Sequence, residues 1–262
     1  MAIARRWISR LLLIGIFFST TGFNWLDEDY LVRGFEEIAL KAEYQQGKTQ
    51  PLRKWLQPVR IYIDSRAGLP KIQQRLVDEH IATLNHLIDH PIQRVDDKSD
   101  ANMVILFELS GRLSRAVGDY YERPPFSEQL LDKSVCVARL HATSMGEIRR
   151  VFIAIPPDKA RNRAKLPACV IEEITQGLGL PNDSDNLFPS IFNDKSVFDE
   201  LTPLDKMFLQ VLYDQRLKPG MDVLSVRPLV RTIVRERLQA IRREQATDQG
   251  VLLISSAKPP RV

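Results

Sequence analysis

Apolar residues at Leu31, Phe35, Ile38, Ala39 and Ala42 recur at helical spacing. They predict a helix over residues 31–44, ended by the polar run Gln45-Gln-Gly-Lys-Thr-Gln50. The period then changes: Val59-Arg-Ile-Tyr-Ile63 alternates as a half-buried strand does, placing a strand within residues 55–64. Ile72, Leu76, Ile81, Leu84 and Ile88 lay a long amphipathic helix over residues 69–89. Residues 92–95 read as a short strand and 102–109 as a continuous apolar one, with two more at 134–140 and 148–155. Residues 111–132 hold no steady period, and Pro124-Pro125 breaks them. Tyr120, Tyr121 and Phe126 there read first as ordinary packing over a sheet and second as the lining of a cleft.

Helices are expected again at 166–180, at 203–213 and over 222–248. In the last of these, Val226, Leu229, Val230, Ile233, Val234, Leu238 and Ile241 form one stripe, and Arg227, Arg231 and Arg235 lie on another face. Residues 249–262, with two prolines, read as a loose tail. The order of elements implies an α/β (α+β) domain over 55–221, with a helical extension at 23–54 before it. At 262 residues, 44% hydrophobic and 27% charged, the chain can bury one substantial core.

The first 22 residues read as an export signal. Arg5, Arg6 and Arg10 precede the apolar run from Leu11 to Phe18, and Thr20-Thr21-Gly22 offers small residues for cleavage. A periplasmic or secreted protein is therefore expected; the alternative is a retained N-terminal membrane anchor, against which the short apolar run counts. Without residues 1–22 the chain carries 34 basic and 33 acidic groups, and residues 216–262 hold ten Lys/Arg against four Asp/Glu. That basic end is read as a solvated helix face, with peripheral contact to an anionic membrane as the alternative; nucleic acid is not an expected partner. In an exported chain, Cys136 and Cys169 suggest one disulfide that ties a strand to the helix at 166–180, the alternative being two buried thiols.

The segment Cys169-Val-Ile-Glu-Glu-Ile-Thr-Gln-Gly-Leu-Gly-Leu-Pro-Asn-Asp183 resembles the zinc-binding helix of metzincin proteases. In that pattern two histidines four apart and a third beyond a glycine hold zinc, with a glutamate beside the first as base. The resemblance puts the ligand positions on Glu172, Gln176 and Asn182, the base on Glu173 and the helix-ending glycine on Gly179. Glu172 and Gln176 share one helix face, whereas the neighbours Glu172 and Glu173 do not, which removes a paired-carboxylate reading. A carboxylate with two amides, or with Asp183 in place of Asn182, makes an oxygen donor set that suits calcium or manganese and not zinc. No cofactor is expected, calcium or manganese being the ion such a set would take. Glu173 without a metal-bound water has little to deprotonate, and its plainer role is a buried carboxylate that holds backbone.

None of the histidines, His80, His86, His90 and His141, lies in or beside this segment. His86 and His90, four apart, form a nominal metal pair that reads more simply as an exposed helix end, and His141 ends a strand near a cleft. Asn182-Asp-Ser-Asp-Asn186 and Asn193-Asp194 gather oxygen side chains; Asx turns account for them as well as calcium does, because the glycine and closing glutamate of an EF-hand are missing.

Downstream, Pro189-Ser-Ile-Phe-Asn193 stands where a metzincin has its Met-turn, with Phe192 in the methionine's place. Phe198-Asp-Glu-Leu-Thr-Pro-Leu-Asp205 with Leu212-Tyr213-Asp214 resembles the closing helix of matrixin-like members. A closer resemblance is to a bacterial family of exported proteins of unknown function. It is carried by residues 169–183, by Ser190-Ile-Phe-Asn-Asp194, by Leu212-Tyr-Asp-Gln-Arg-Leu-Lys-Pro-Gly-Met221, and by Phe35-Glu-Glu-Ile-Ala39 with Ala42-Glu-Tyr44. The resemblance implies a metzincin-like fold without the zinc histidines and no established activity. The expected role is non-catalytic binding of a peptide or protein partner in the cell envelope, against an edge strand at 134–140 or 148–155. The alternative is a peptidase or other hydrolase with an oxygen-donor metal and Glu173 as base.

Overall fold

Met103-Val-Ile-Leu-Phe107 has no polar position because it is the middle strand of a sheet covered on both faces. The computed structural model describes residues 25–41, 49–122, 125–193 and 195–256; the expected signal segment lies outside them. The elements are α1 (Glu28–Leu40), β1 (Val59–Ser65), α2 (Pro70–Leu87), β2 (Ile92–Arg94), β3 (Met103–Phe107), α3 (Ser110–Gly118), α4 (Glu128–Lys133), β4 (Val137–Ala142), β5 (Ile148–Ile155), α5 (Pro157–Asn162), α6 (Leu166–Gly177), α7 (Pro203–Leu212) and α8 (Val223–Ser256).

The five strands form one mixed sheet in the order β2-β1-β3-β5-β4. Its first four members are parallel and β4 runs antiparallel along β5. Of the two strands expected at an edge, β4 is the edge and β5 is interior, hydrogen-bonded to β3 on its other side. This agrees with sequence: every residue of β5 from Val151 on is buried, whereas Arg139 and His141 of β4 are exposed.

Alternation along the strands divides the core. Ile61, Met103, Ile105, Phe107, Val151 and Ile153 face a large cluster that includes residues of α1, α2, α6, α7 and α8. Leu106, Val137, Phe152 and Ala154 face a smaller one, closed by Leu113, Val117, Phe126 and Leu131. Each Leu, Ile or Phe so buried contributes about 1.5–3 kcal/mol. The stretch without a period, 111–132, therefore holds two short helices that lid the second face, and Phe126, Tyr120 and Tyr121 pack there against Phe152.

Helix α8 runs to Ser256, so the tail expected from residue 249 is helical at its start. Among the described residues no helix is long and apolar enough to cross a membrane. The arginines expected on a separate solvated face of α8 are half-exposed but matched. Arg227 grips Glu36 with Nε at 2.5 Å and Nη2 at 2.8 Å, and Arg231 and Arg235 both reach Glu28 at 2.9 Å. The positive stripe is thus largely neutralised by carboxylates of α1, which weakens its pull on an anionic surface.

Candidate functional site

Helix α6 is positioned by its end. Proline at its second residue suits a first turn, where the missing N–H has no partner to lose. At the other end the carbonyls that a helix leaves unpaired are taken by distant side chains: Trp55 Nε1 donates to the Gly177 oxygen at 2.9 Å and the Tyr213 hydroxyl to the Leu178 oxygen at 3.0 Å. The chain then turns at Gly179, whose φ is +122° and whose missing Cβ would stand 2.3 Å from the Arg53 carbonyl oxygen. Only glycine fits both conditions, which gives the glycine of the motif a steric cause.

His80, distant in sequence, reaches this segment in space. It reaches across from α2, 4% exposed, with Nε2 3.1 Å from Thr175 Oγ1 on α6. Burial pushes its pKa down to about 4, so it is a neutral spacer between two helices. His86 and His90 are not a pair on one helix, because α2 stops at Leu87. His90 instead packs on the Tyr213 ring, centroids 5.1 Å apart, with Nε2 3.1 Å from the Gln57 carbonyl oxygen. His141 stacks on Tyr121.

The positions expected to hold a metal share one cleft of about 960 Å³, lined by Glu172, Glu173, Gln176, Asn182 and Asp183 among others. They do not act as one set there. Gln176 Nε2 donates to Asp183 Oδ1 at 2.7 Å. Asn182 is 6% exposed and turns its amide to the end of α1, reaching the carbonyl oxygens of Lys41 at 2.9 Å, Ile38 at 3.1 Å and Glu37 at 3.3 Å. The residue in the third ligand position is therefore a cap on another helix. Glu173 is buried at 5% exposure and Glu172 is half-buried. Among the described residues no three His, Cys, Asp or Glu side chains converge as a metal-holding group.

The remaining oxygen side chains of the loop disperse in the same way. Ser184 hydrogen-bonds to Glu37, Asp185 pairs with Lys195 at 2.7 Å, and Asn193 donates to the Leu187 carbonyl at 2.8 Å. Phe192 is fully buried, and the turn that carries it is organised by Asp205. That carboxylate accepts from Ser190 Oγ at 2.6 Å, from the Ile191 amide at 3.1 Å and from the Thr202 amide at 2.8 Å, the last as half of a capping box on α7. Burial holds the Asp205 pKa above the usual carboxylate range, against those hydrogen bonds.

The cleft runs along the outer edge of β4. Every residue from 135 to 140 lines it, which includes both faces of the strand. Phe126, Leu130 and Lys133 of the α4 region bound one side and Ala168, Glu172 and Gln176 of α6 the other. The disulfide Cys136–Cys169, Cα atoms 5.8 Å apart, fastens the entry of β4 to the first half of α6 and so sets the spacing between floor and wall. The cysteines and the strand are legible in the sequence; Trp55, His80 and Tyr213 are not, because their partners lie far along the chain, while Asp205 shows only as the Thr202–Asp205 spacing of a capping box. A tryptophan and a tyrosine each bearing one polar handle were the available signal.

Residues 28–232, most of the chain, match the family described as "Protein of unknown function (DUF2927)". No curated protein matches the chain.

Proposed function

The chain belongs to the DUF2927 family, and on that footing we propose that it is an exported, metzincin-like protein that captures an extended peptide or protein segment without cleaving it. The observation that carries this reading is the cleft along β4: the edge of a five-stranded sheet opens into it, with both strand faces represented in its lining. An unpaired edge offers a row of N–H and C=O groups, and an added strand satisfies them while its alternate side chains enter the spaces above and below. The disulfide supports an oxidising location outside the cytoplasm.

Catalysis is disfavoured by chemistry: Asn182 is committed to α1 and Gln176 and Asp183 to each other, so three of the positions that would hold a metal are bonded within the protein. The test is hydrogen exchange of the full chain with and without a peptide mixture, together with mass analysis of the peptides. Slowed exchange at residues 137–142 with intact peptides is expected. Hydrolysis that disappears in Glu173→Gln would overturn the reading and favour the hydrolase.

A further inference from the structure

Resting on that reading, the charge around the cleft specifies what kind of segment enters it. Five basic residues line it, Arg53, Lys133, Arg139, Arg163 and Lys165, against three acidic ones, Glu172, Glu173 and Asp183. Apart from Arg53, whose backbone lies against Gly179, the two signs are separated. The acids belong to the later turns of α6 and the loop that follows, whereas Lys133 and Arg139 flank or sit on β4 and Arg163 and Lys165 precede α6. Lys133, Arg139 and Arg163 are exposed, and among the described residues none has a carboxylate partner, although the fold pairs many of its other arginines. Three unmatched cations around one strand edge repel each other and leave a field that an anionic ligand relieves.

The same end of the cleft carries an apolar rim. Lys165 Nζ donates to the Ser196 carbonyl at 2.9 Å, which draws residues 196–198 to the start of α6. Phe198 there lines the cleft and packs on Phe188, ring centroids 6.1 Å apart. Phe188 is 54% exposed and Val197 88% exposed, so with Phe198 they offer apolar surface next to the basic opening.

We infer that the cleft is selective for an extended segment that carries acidic side chains beside a large apolar one, paired along β4. The acids meet Lys133, Arg139 and Arg163, and the apolar side chain settles on Phe188, Val197 and Phe198. Opposite charge supplies rate and selectivity and the strand pairing supplies register.

The experiment uses the full-length protein and three fluorescent peptide sets of equal length, each with Leu or Phe at the centre: one flanked by Asp and Glu, one by Ser, one by Lys. Anisotropy measures binding, and hydrogen exchange at residues 137–142 reports pairing on β4. The acidic set is expected to bind about tenfold tighter than the serine set, with an advantage that shrinks as salt rises. The double substitution Arg139→Glu with Arg163→Glu, both exposed positions, is expected to erase that advantage while leaving the thermal melt unchanged. N-methylation of alternate peptide amides should abolish binding if the backbone pairs.

If all three sets protect β4 equally, edge capture stands and the charge inference is overturned. Tightest binding by the lysine set overturns it as well. If no set protects β4, edge capture fails with it.

Discussion

Gln176 hands its side-chain amide to Asp183 at 2.7 Å, so two groups that a metal-binding reading would aim at an ion are bonded to each other. The residue before Asp183, Asn182, points at the end of α1. The cleft keeps the spacing of the motif while its polar groups serve the fold.

Introducing histidines there therefore separates geometry from chemistry. Glu172→His with Gln176→His places two imidazoles on one helix face and is expected to give weak zinc binding. Adding Asn182→His is expected to lower stability by about 2 kcal/mol, because the lost amide donates its two N–H groups to backbone carbonyls at roughly 1 kcal/mol each. Zinc titration and thermal melts of both variants check this. A triple variant that binds zinc tightly and melts like the parent would refute the assignment of Asn182 as a cap.

Stability should depend on pH through His80. Its folded pKa is about 4 against an ordinary 6.5, so below 6.5 the unfolded chain takes up a proton that the folded chain refuses. The contribution is intact above pH 6.5, falls as pH drops from 6.5 to 4, and then levels. Its size is about 3 kcal/mol at 1.36 kcal/mol per unit. Urea denaturation across that range should show a shallower acid loss in His80→Gln, which keeps a polar group for Thr175; equal slopes would dismiss the role.

Replacing Cys136 and Cys169 by serine releases a link spanning 33 residues. The loss of chain restriction alone predicts about 3–4 kcal/mol of destabilisation. The variant should also bind cleft ligands more weakly in proportion to the slackened wall, measured by calorimetry at a temperature where both forms are folded. Unchanged affinity would confine the bond to stability.

At Gly179 even one methyl group is expected to be costly. Gly179→Ala combines a φ of +122° with a 2.3 Å approach to the Arg53 oxygen. Each factor alone costs on the order of 1–3 kcal/mol, so the variant should unfold at markedly lower denaturant or fail to accumulate. Gly111→Ala, where nothing lies within 4 Å of the added carbon, is the control and should lose little.

What the sequence made legible is what period and composition encode. The apolar run of β3, the alternation of β1 and the stripes of α2 and α8 predicted elements at the right places, since burial of one face or both is written in adjacent residues. The two cysteines predicted their own bond. Short helices escaped, because α3, α4 and α5 are too brief to display a period. At the site the loop of Asn and Asp residues looked alike along the chain. What tells Asn182 from Asp183 is α1, over 140 residues earlier, and no local pattern carries that distance. His80 was illegible for the same reason: its partner Thr175 sits 95 positions away.

The clasp between α1 and α8 also governs when the fold can close. Its ion pairs join residues 191 and more positions apart, Arg227 to Glu36 and Arg235 to Glu28. A chain made from its N-terminus must therefore carry α1, with Leu31, Phe35 and Ile38, well before its partners at 182–208 and in α8 have been synthesised. Such a long-range closure makes folding slow and leaves the unfinished chain sticky.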